Sequence, residues 1–318
     1  MKTPLLEIEH LSKSFRTRRR IVQAVDDVSL SVMPGETLGL VGESGCGKTT
    51  LGRTIIRIEN PTNGHILFKG TDITRIPNKA LKPIRRNIQM IFQDPYESLD
   101  PRSSVGEIIA EPMLIHKMYS PEVQKERVQM LLATVGLKPD HVRRYAHEFS
   151  GGQRQRISIA RALTLNPELI ICDEPISALD VSIQAQIINL LVRIQEAMGM
   201  AYLFIAHDLA LVRHISHTVA VMYKGRIVEY GSTDAVYSAP AHPYTKTLMS
   251  AIPTPDPRRA REKAREWLFI DEEAAAPPDA PDNCPFAGRC KERGDLCLKS
   301  RPALVDVGDR KVACFLLI

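Results

Sequence analysis

Residues 148–180 read EFSGGQRQRISIARALTLNPELIICDEPISALD. The segment carries a serine-glycine-glycine-glutamine peptide, Ser150-Gly151-Gly152-Gln153, placed 23 residues ahead of an acidic pair, Asp173-Glu174. Leu169 to Cys172 is a short apolar run that reads as a buried strand with the two acids at its end. From Gly152 a helix is expected to run to Leu165. A helix from Ser182 to Met198 and strands at Ala201–Ala206 and Thr218–Tyr223 follow, and this alternation predicts a largely parallel sheet.

Toward the N-terminus, residues 4–41 alternate apolar and polar positions and predict short strands that end in Leu38–Val41. Next comes GESGCGKTT, Gly42 to Thr50, which fits the phosphate-loop pattern with Gly42, Gly47, Lys48 and Thr49 in place. Its glycines let backbone N–H groups converge on phosphates, and the following helix, expected from Lys48 to about Ile58, turns its positive end to the same anion. Lys48 is expected on the β- and γ-phosphates of ATP and the Thr49 hydroxyl on Mg²⁺. Asp173 fits a residue holding Mg²⁺ through water. Glu174 is placed as general base, a role worth roughly 10²–10⁴-fold in rate. Strands are expected near Ile66–Lys69 and Ile88–Gln93. Helical segments near Val105–His116 and Pro121–Val135 read as an insertion into the α/β core, a helical subdomain at about 98–155.

The 318 residues are 44% hydrophobic and 25% charged with a net charge of +5, an ordinary globular balance that lends only slight weight to an anionic partner. No apolar run approaches the ~18–20 residues that cross a bilayer. Glu7 and Glu9 stand where a secretory signal would be apolar, so the expected location is the cytoplasm, with any pore supplied by other chains. Arg16 to Arg20 reads as a solvated basic loop.

Cys46 and Cys172 lie in the core motifs, whereas Cys284, Cys290, Cys297 and Cys314 crowd the last 35 residues. Cys46, beside Lys48 at a helix start, is expected to have a lowered pKa and to alkylate readily. Residues 253–283, rich in proline, charge and alanine, read as a linker. The tail intervals, C-x5-C-x6-C-x16-C, contain no C-x2-C pair. Its four thiols leave three readings open: a 4Fe–4S cluster, zinc, or burial without metal.

Taken together these motifs resemble the ATP-binding cassette (ABC) proteins. The resemblance implies an α/β, RecA-like nucleotide-binding domain with a parallel sheet core, an antiparallel β subdomain, the helical insertion and a small cysteine-containing C-terminal extension. It implies ATP and Mg²⁺ as cofactors and roles for further residues. Glu43, Ser44, Gly45, Cys46 and Thr50 would join Gly42, Gly47, Lys48 and Thr49 around the phosphates, and Phe15 would stack on adenine. Gln93 would touch Mg²⁺ and the attacking water, with its loop meeting a membrane partner, and His207 would contact the γ-phosphate. Ser150, Gly151, Gly152 and Gln153 would bind the γ-phosphate held by an opposite subunit. Asp180, in Ser177-Ala178-Leu179-Asp180, would couple two such sites. The family usually has leucine before the signature serine; Phe149 stands here and is expected to serve packing.

Two features narrow the resemblance: GESGCGKTTLGR with IFQDPYESLDPR, and AHPYTKTLMSAIP followed by the cysteine tail. Both are similar to ATP-binding subunits of bacterial dipeptide and oligopeptide importers, a group that also serves nickel, glutathione, opines and oligosaccharides. The implied layout is an ATP-binding domain at 1–252, a linker at 253–283 and a cysteine-rich region at 284–318. The implied partners are two permease subunits, a second ATP-binding subunit and an extracytoplasmic solute-binding protein. No nucleic acid is expected, and the implied location is peripheral, on the cytoplasmic face of the inner membrane. Members of this group carry a 4Fe–4S cluster in the corresponding tail, which favours that reading here. An exporter ATPase is disfavoured by the HPYTK segment. A soluble ABC ATPase acting on DNA, ribosomes or cluster assembly would be expected to show tandem cassettes or heptad arms, and this chain has neither.

Overall fold

Period-two alternation from Leu6 onward forms two long antiparallel strands, β1 (Leu6–Arg16) and β2 (Ile21–Val32), with Leu6 opposite Val32 and Phe15 opposite Val22. Their inward residues Leu6, Ile8, Leu11, Val25 and Val28 are buried, so one face of the pair belongs to the core. The computed structural model describes residues 3–17, 21–177, 179–250 and 283–317. Arg18–Arg20 of the basic loop, Ala178 and most of the expected linker lie outside the described residues.

Strand β3 (Thr37–Val41) leads to helix α1 (Lys48–Ile55). This helix stops short of the expected Ile58 because Arg57 takes a left-handed φ of 58°, and the Ile58 N–H turns back to the Arg53 carbonyl at 3.0 Å. Strands β4 (Asn63–Phe68) and β5 (Thr71–Asp72) complete a four-stranded antiparallel sheet in the order β2-β1-β4-β5. Helix α2 (Asn78–Asn87) then feeds β6 (Ile88–Ile91).

The insertion comprises the short α3 (Pro95–Ser98), α4 (Val105–Ile115) and α5 (Pro121–Thr134). Helix α4 starts at a capping box in which Ser104 Oγ accepts from the Glu107 N–H and the Glu107 carboxylate accepts from the Ser104 N–H at 2.7 Å. Ile108, Ile109, Met113, Val128, Leu131 and Leu132 from α4 and α5 pack against α6 (Gly151–Leu163). The chain then alternates through β7 (Leu169–Asp173), α7 (Val181–Met198), β8 (Ala201–Ala206), α8 (Leu209–Ile215) and β9 (Thr218–Tyr223). It continues as β10 (Arg226–Ser232), α9 (Thr233–Ser238) and α10 (Pro243–Ser250).

The main sheet has eight strands in the order β11-β12-β10-β9-β3-β8-β7-β6, where β11 (Val305–Val307) and β12 (Arg310–Val312) belong to the tail. Strands β6, β7, β8, β3 and β9 run parallel, whereas β10, β12 and β11 are antiparallel. Alternation along β8 separates two cores. Tyr202 and Phe204 face α6 and α7, while Leu203 and Ile205 face α1 and the antiparallel sheet. The expected parallel centre and antiparallel subdomain are both present. The tail goes further than an appended segment, since Glu229 of β10 pairs with Val312 of β12 and carries the cysteine region onto the sheet edge.

Candidate active site

Gln93, the Gly42 loop, Glu174 and His207 follow β6, β3, β7 and β8 respectively, so parallel strands deliver all four to the carboxyl edge of one sheet. The loop after β3 enters α1 through Gly47 at φ 108°, and no side chain caps the first turn of that helix. A Cβ on Gly47 would stand 2.0 Å from the Ala24 carbonyl, so the residue must lack one for the loop to lie this close to β2. The loop is tied down further by the Gly225 N–H, which donates to the Cys46 carbonyl at 2.8 Å.

Lys48 is buried and its ammonium donates to the carbonyls of Gly42 (2.8 Å) and Glu43 (2.9 Å). Its Nζ also lies 4.0 Å from Glu174 Oε1. The other carboxylate oxygen of Glu174 accepts from Gln93 Nε2 at 2.9 Å and lies 3.5 Å from His207 Nδ1. Three residues expected around the hydrolytic centre therefore meet on the fourth. Glu174 holds a left-handed φ of 43°, and its N–H donates to the Ile205 carbonyl at 3.0 Å. Such backbone typically costs of order 1–3 kcal/mol and tends to occur where a side chain must be aimed.

Asp173 is wholly buried, and its Oδ1 accepts from Thr49 Oγ1 at 2.8 Å. Its Oδ2 has no hydrogen-bond partner among the described residues. Burial raises its pKa, and the Thr49 hydroxyl offsets part of that rise. A buried carboxylate with one unpartnered oxygen beside a threonine hydroxyl fits a site for a hard divalent cation, so this pair suits Mg²⁺.

A cavity of about 440 Å³ is lined by Ser44 to Thr50, Gln93 and Glu174, together with Val22, Gln23, Ala24, Lys224 and Gly225. Gln23 and the Lys224-Gly225 turn had no local motif to announce them. The turn takes part because β9 lies beside β3. Phe15 is 37% exposed, sits in register with the cavity residue Val22 and carries Lys13 Nζ 4.6 Å from its ring centroid.

The cavity lining does not include Ser150 to Gln153. That peptide caps α6, with Ser150 Oγ accepting from the Gln153 N–H and the Gln153 side chain accepting from the Ser150 N–H. A Cβ on Gly152 would lie 2.5 Å from Ile183 Cγ2, so this glycine serves helix packing as well as any ligand. Asp180 is exposed at the start of α7 and makes no capping bond. Phe149 is buried with its ring edge-on to His141, which agrees with a packing role.

Cys46 departs from expectation. It is buried, and the loss of hydration raises its thiol pKa more than nearby Lys48 lowers it. In the tail, burial likewise raises Cys284, Cys290 and Cys314, and each also feels Cys297. Among the described residues no three His, Cys, Asp or Glu are gathered as a metal-holding group. The tail cysteines are not gathered here into a formed ligand shell.

A phosphate loop, an acid suited to Mg²⁺ and an oriented glutamate at the carboxyl edge of a parallel sheet define a phosphate-loop ATPase. Residues 25–177 match the family described as ABC transporter, and residues 228–297 match the oligopeptide/dipeptide transporter C-terminal region. The putative oligopeptide transport ATP-binding protein YkfD of Bacillus subtilis is 51% identical over 99% of this chain and 96% of its own. The dipeptide transport ATP-binding protein DppF of Escherichia coli is 46% identical over 99% and 95%. Among solved structures, the dimeric ATP-binding cassette MJ0796 bound to ADP and Pi superposes with a TM-score of 0.66 at 26% identity, covering 72% of this chain and 98% of that one. The chain belongs to the ABC transporter family, among its oligopeptide and dipeptide transporter ATP-binding proteins, and is an ATPase.

Proposed function

We propose that this chain energises the uptake of dipeptides, oligopeptides or a related small solute through separate permease subunits. The observation that carries the reading is the occurrence in one chain of the Glu174-centred site and a C-terminal region of the oligopeptide/dipeptide transporter type. No helix among the described residues is long and apolar enough to cross a membrane, which is compatible with permeases being other chains.

Lys48 exchanges the Gly42 and Glu43 carbonyls for β- and γ-phosphate oxygens of ATP. The cavity residues Ser44, Gly45, Cys46, Gly47, Thr49 and Thr50, with Glu43 before them in the loop, enclose the phosphates, and Phe15 stacks on the base. Thr49 and Asp173, with Gln93 nearby, hold Mg²⁺, which when bound neutralises charge on the phosphate oxygens. Glu174 accepts the proton of the attacking water, which the Gln93 amide holds in line, and His207 contacts the γ-phosphate. Ser150 to Gln153 present the α6 N-terminus to the γ-phosphate of a second subunit, and Asp180 links the two sites across that dimer.

The permease contact is assigned to the loop after Gln93 and the cavity of about 340 Å³ beside it, where Ile58 and Ile115 are half exposed next to Phe92 and Arg85. An extracytoplasmic binding protein completes the assembly, and the chain works on the cytoplasmic face of the membrane. Residues 1–252 act as the ATP-binding domain and 284–318 as the cysteine region. The 4Fe–4S reading of that region rests on its four cysteines, Cys284, Cys290, Cys297 and Cys314, within the last 35 residues, and no step above uses a cluster. Iron and sulfide analysis of anaerobically purified protein checks it.

Pull-down of this chain from detergent-solubilised membranes, with ATPase assay and mass spectrometry, tests the proposal. Two permeases and a peptide-type binding protein are expected. Ribosomes, DNA or assembly factors without a membrane partner would overturn it.

A further inference from the structure

The phosphate loop is held from outside the motifs that define it. The Glu43 N–H donates to the hydroxyl of Tyr244 at 3.0 Å, 201 residues away. The Glu43 carboxylate pairs with Arg289 Nη1 at 2.9 Å, 246 residues away in the cysteine tail. The Glu43 carbonyl is one of the two backbone acceptors of Lys48. One residue of the loop is thus gripped at its N–H and side chain by the C-terminal region, and at its carbonyl by the lysine expected on phosphate.

Both grips are built. Tyr244 is fully buried, with its ring 4.5 Å from Tyr223 and 5.5 Å from Phe286 by centroid. Its hydroxyl therefore has little freedom, and burial raises its pKa. Helix α10, which carries Tyr244, is anchored by the wholly buried Glu229, which accepts from the N–H groups of Ala241 (3.0 Å) and His242 (2.9 Å). Arg289 sits in a turn closed by its own N–H and that of Cys290, both donating to the Phe286 carbonyl at 3.0 Å. Its guanidinium lies within 5.9 Å of the Tyr223 and Phe286 rings. An exposed ion pair alone is worth little. Here the pair adds to the hydrogen bond that the N–H of the same residue, Glu43, donates to a buried hydroxyl.

We propose that Tyr244, with Arg289 as second tether, is a positioning residue of the ATP site that fixes the Glu43 peptide unit and so presets the loop that Lys48 must serve. This rests on the ATP-site reading above. The role is to preorganise binding, so its loss weakens nucleotide affinity and leaves the hydrolytic residues in place.

Tyr244→Phe removes one oxygen and keeps the ring. The KM for ATP is expected to rise about three- to tenfold, the scale of one lost hydrogen bond, with kcat changed by less than about twofold. A fluorescent ATP analogue titrated onto the full-length protein should show the same loss in Kd. Arg289→Gln should raise KM less, Arg289→Lys should recover part of it, and Glu43→Gln combined with Arg289→Gln should cost no more than either alone. Glu43 and Arg289 are partly exposed, so these variants keep the test open should Tyr244→Phe fold poorly. Unchanged KM and Kd in Tyr244→Phe and Arg289→Gln would overturn the proposal while the ATP-site reading stands. A wild-type protein that binds no ATP would overturn both.

Discussion

Asp173 and Glu229 are both wholly buried carboxylates, and they differ in how they are satisfied. Glu229 accepts from the backbone N–H groups of Ala241 and His242 and pairs with Arg310 at 3.4 Å, so its charge is enclosed by donors. Among the described residues Asp173 has a single hydrogen-bonding partner, the Thr49 hydroxyl, and one oxygen with none. On the function proposed above, the difference separates a structural acid from a functional one. Where folding is the only requirement, a buried charge is surrounded by hydrogen bonds; where chemistry is required, part of it is left for a ligand.

The sharpest test lies next to the under-satisfied acid. Glu174→Gln should bind ATP and lose roughly 10²–10⁴-fold in hydrolysis, since the carboxamide cannot take a proton from water. Phosphate release and size-exclusion chromatography with ATP should show slow turnover and a nucleotide-trapped dimer, and wild-type turnover would remove Glu174 from its role. On the enclosed side, Glu229→Gln leaves Arg310 short of its partner and should destabilise the fold by about 3–5 kcal/mol, read by denaturant unfolding. A smaller loss would mean that Asp309 and the Ala239 carbonyl suffice for Arg310.

A pH scan sharpens the contrast. His242 is buried, and burial, helped by Lys246, lowers its pKa from the ordinary 6.5 to about 4. The unfolded chain takes up the proton near 6.5 and the folded chain only near 4, so stability should fall as pH drops through that interval, by on the order of 3 kcal/mol. His242→Asn should flatten that slope. Asp173 behaves in the opposite sense. Its raised pKa means that the nucleotide-free fold loses stability as pH rises out of the ordinary carboxylate range, and Mg²⁺ should remove this dependence. The smallest expected stability effect is that of Asp173→Asn, within about 1 kcal/mol of wild type in unfolding because it deletes a poorly satisfied charge. The same change should cost about 10²-fold or more in Mg²⁺-dependent hydrolysis. Destabilisation matching that of Glu229→Gln would erase the distinction between the two acids.

The open acid was legible in the sequence and the enclosed one was not. Asp173 follows an apolar run and precedes Glu174, so its placement is local and phosphate chemistry restricts the residues that can stand there. Glu229 sits in a strand of seven residues, and the groups that meet its carboxylate lie up to 81 positions away. The tail strands Val305–Val307 and Arg310–Val312 are too short for alternation to register. Helix α8 has seven residues and opens on an Asp208 cap directly after His207, where the eye stops at the histidine. Cys46 misled because proximity to Lys48 is visible in sequence and depth of burial is not. The cavity residues Gln23, in β2, and Lys224 and Gly225, in the turn after β9, reach the loop only through the packing of the two sheets and the order of the main one.

The ties on Glu43 also bear on the order of synthesis. A ribosome releases the phosphate-loop motif within the first 50 residues, but Tyr244 follows Glu43 by 201 residues and Arg289 by 246. A nascent chain therefore carries the phosphate loop long before it owns the two residues that hold it in place. At about 5–20 residues per second this interval lasts on the order of ten seconds or more. During that time the loop lacks both tethers, and the preset geometry proposed above comes only once Tyr244 and Arg289 have been made and have docked.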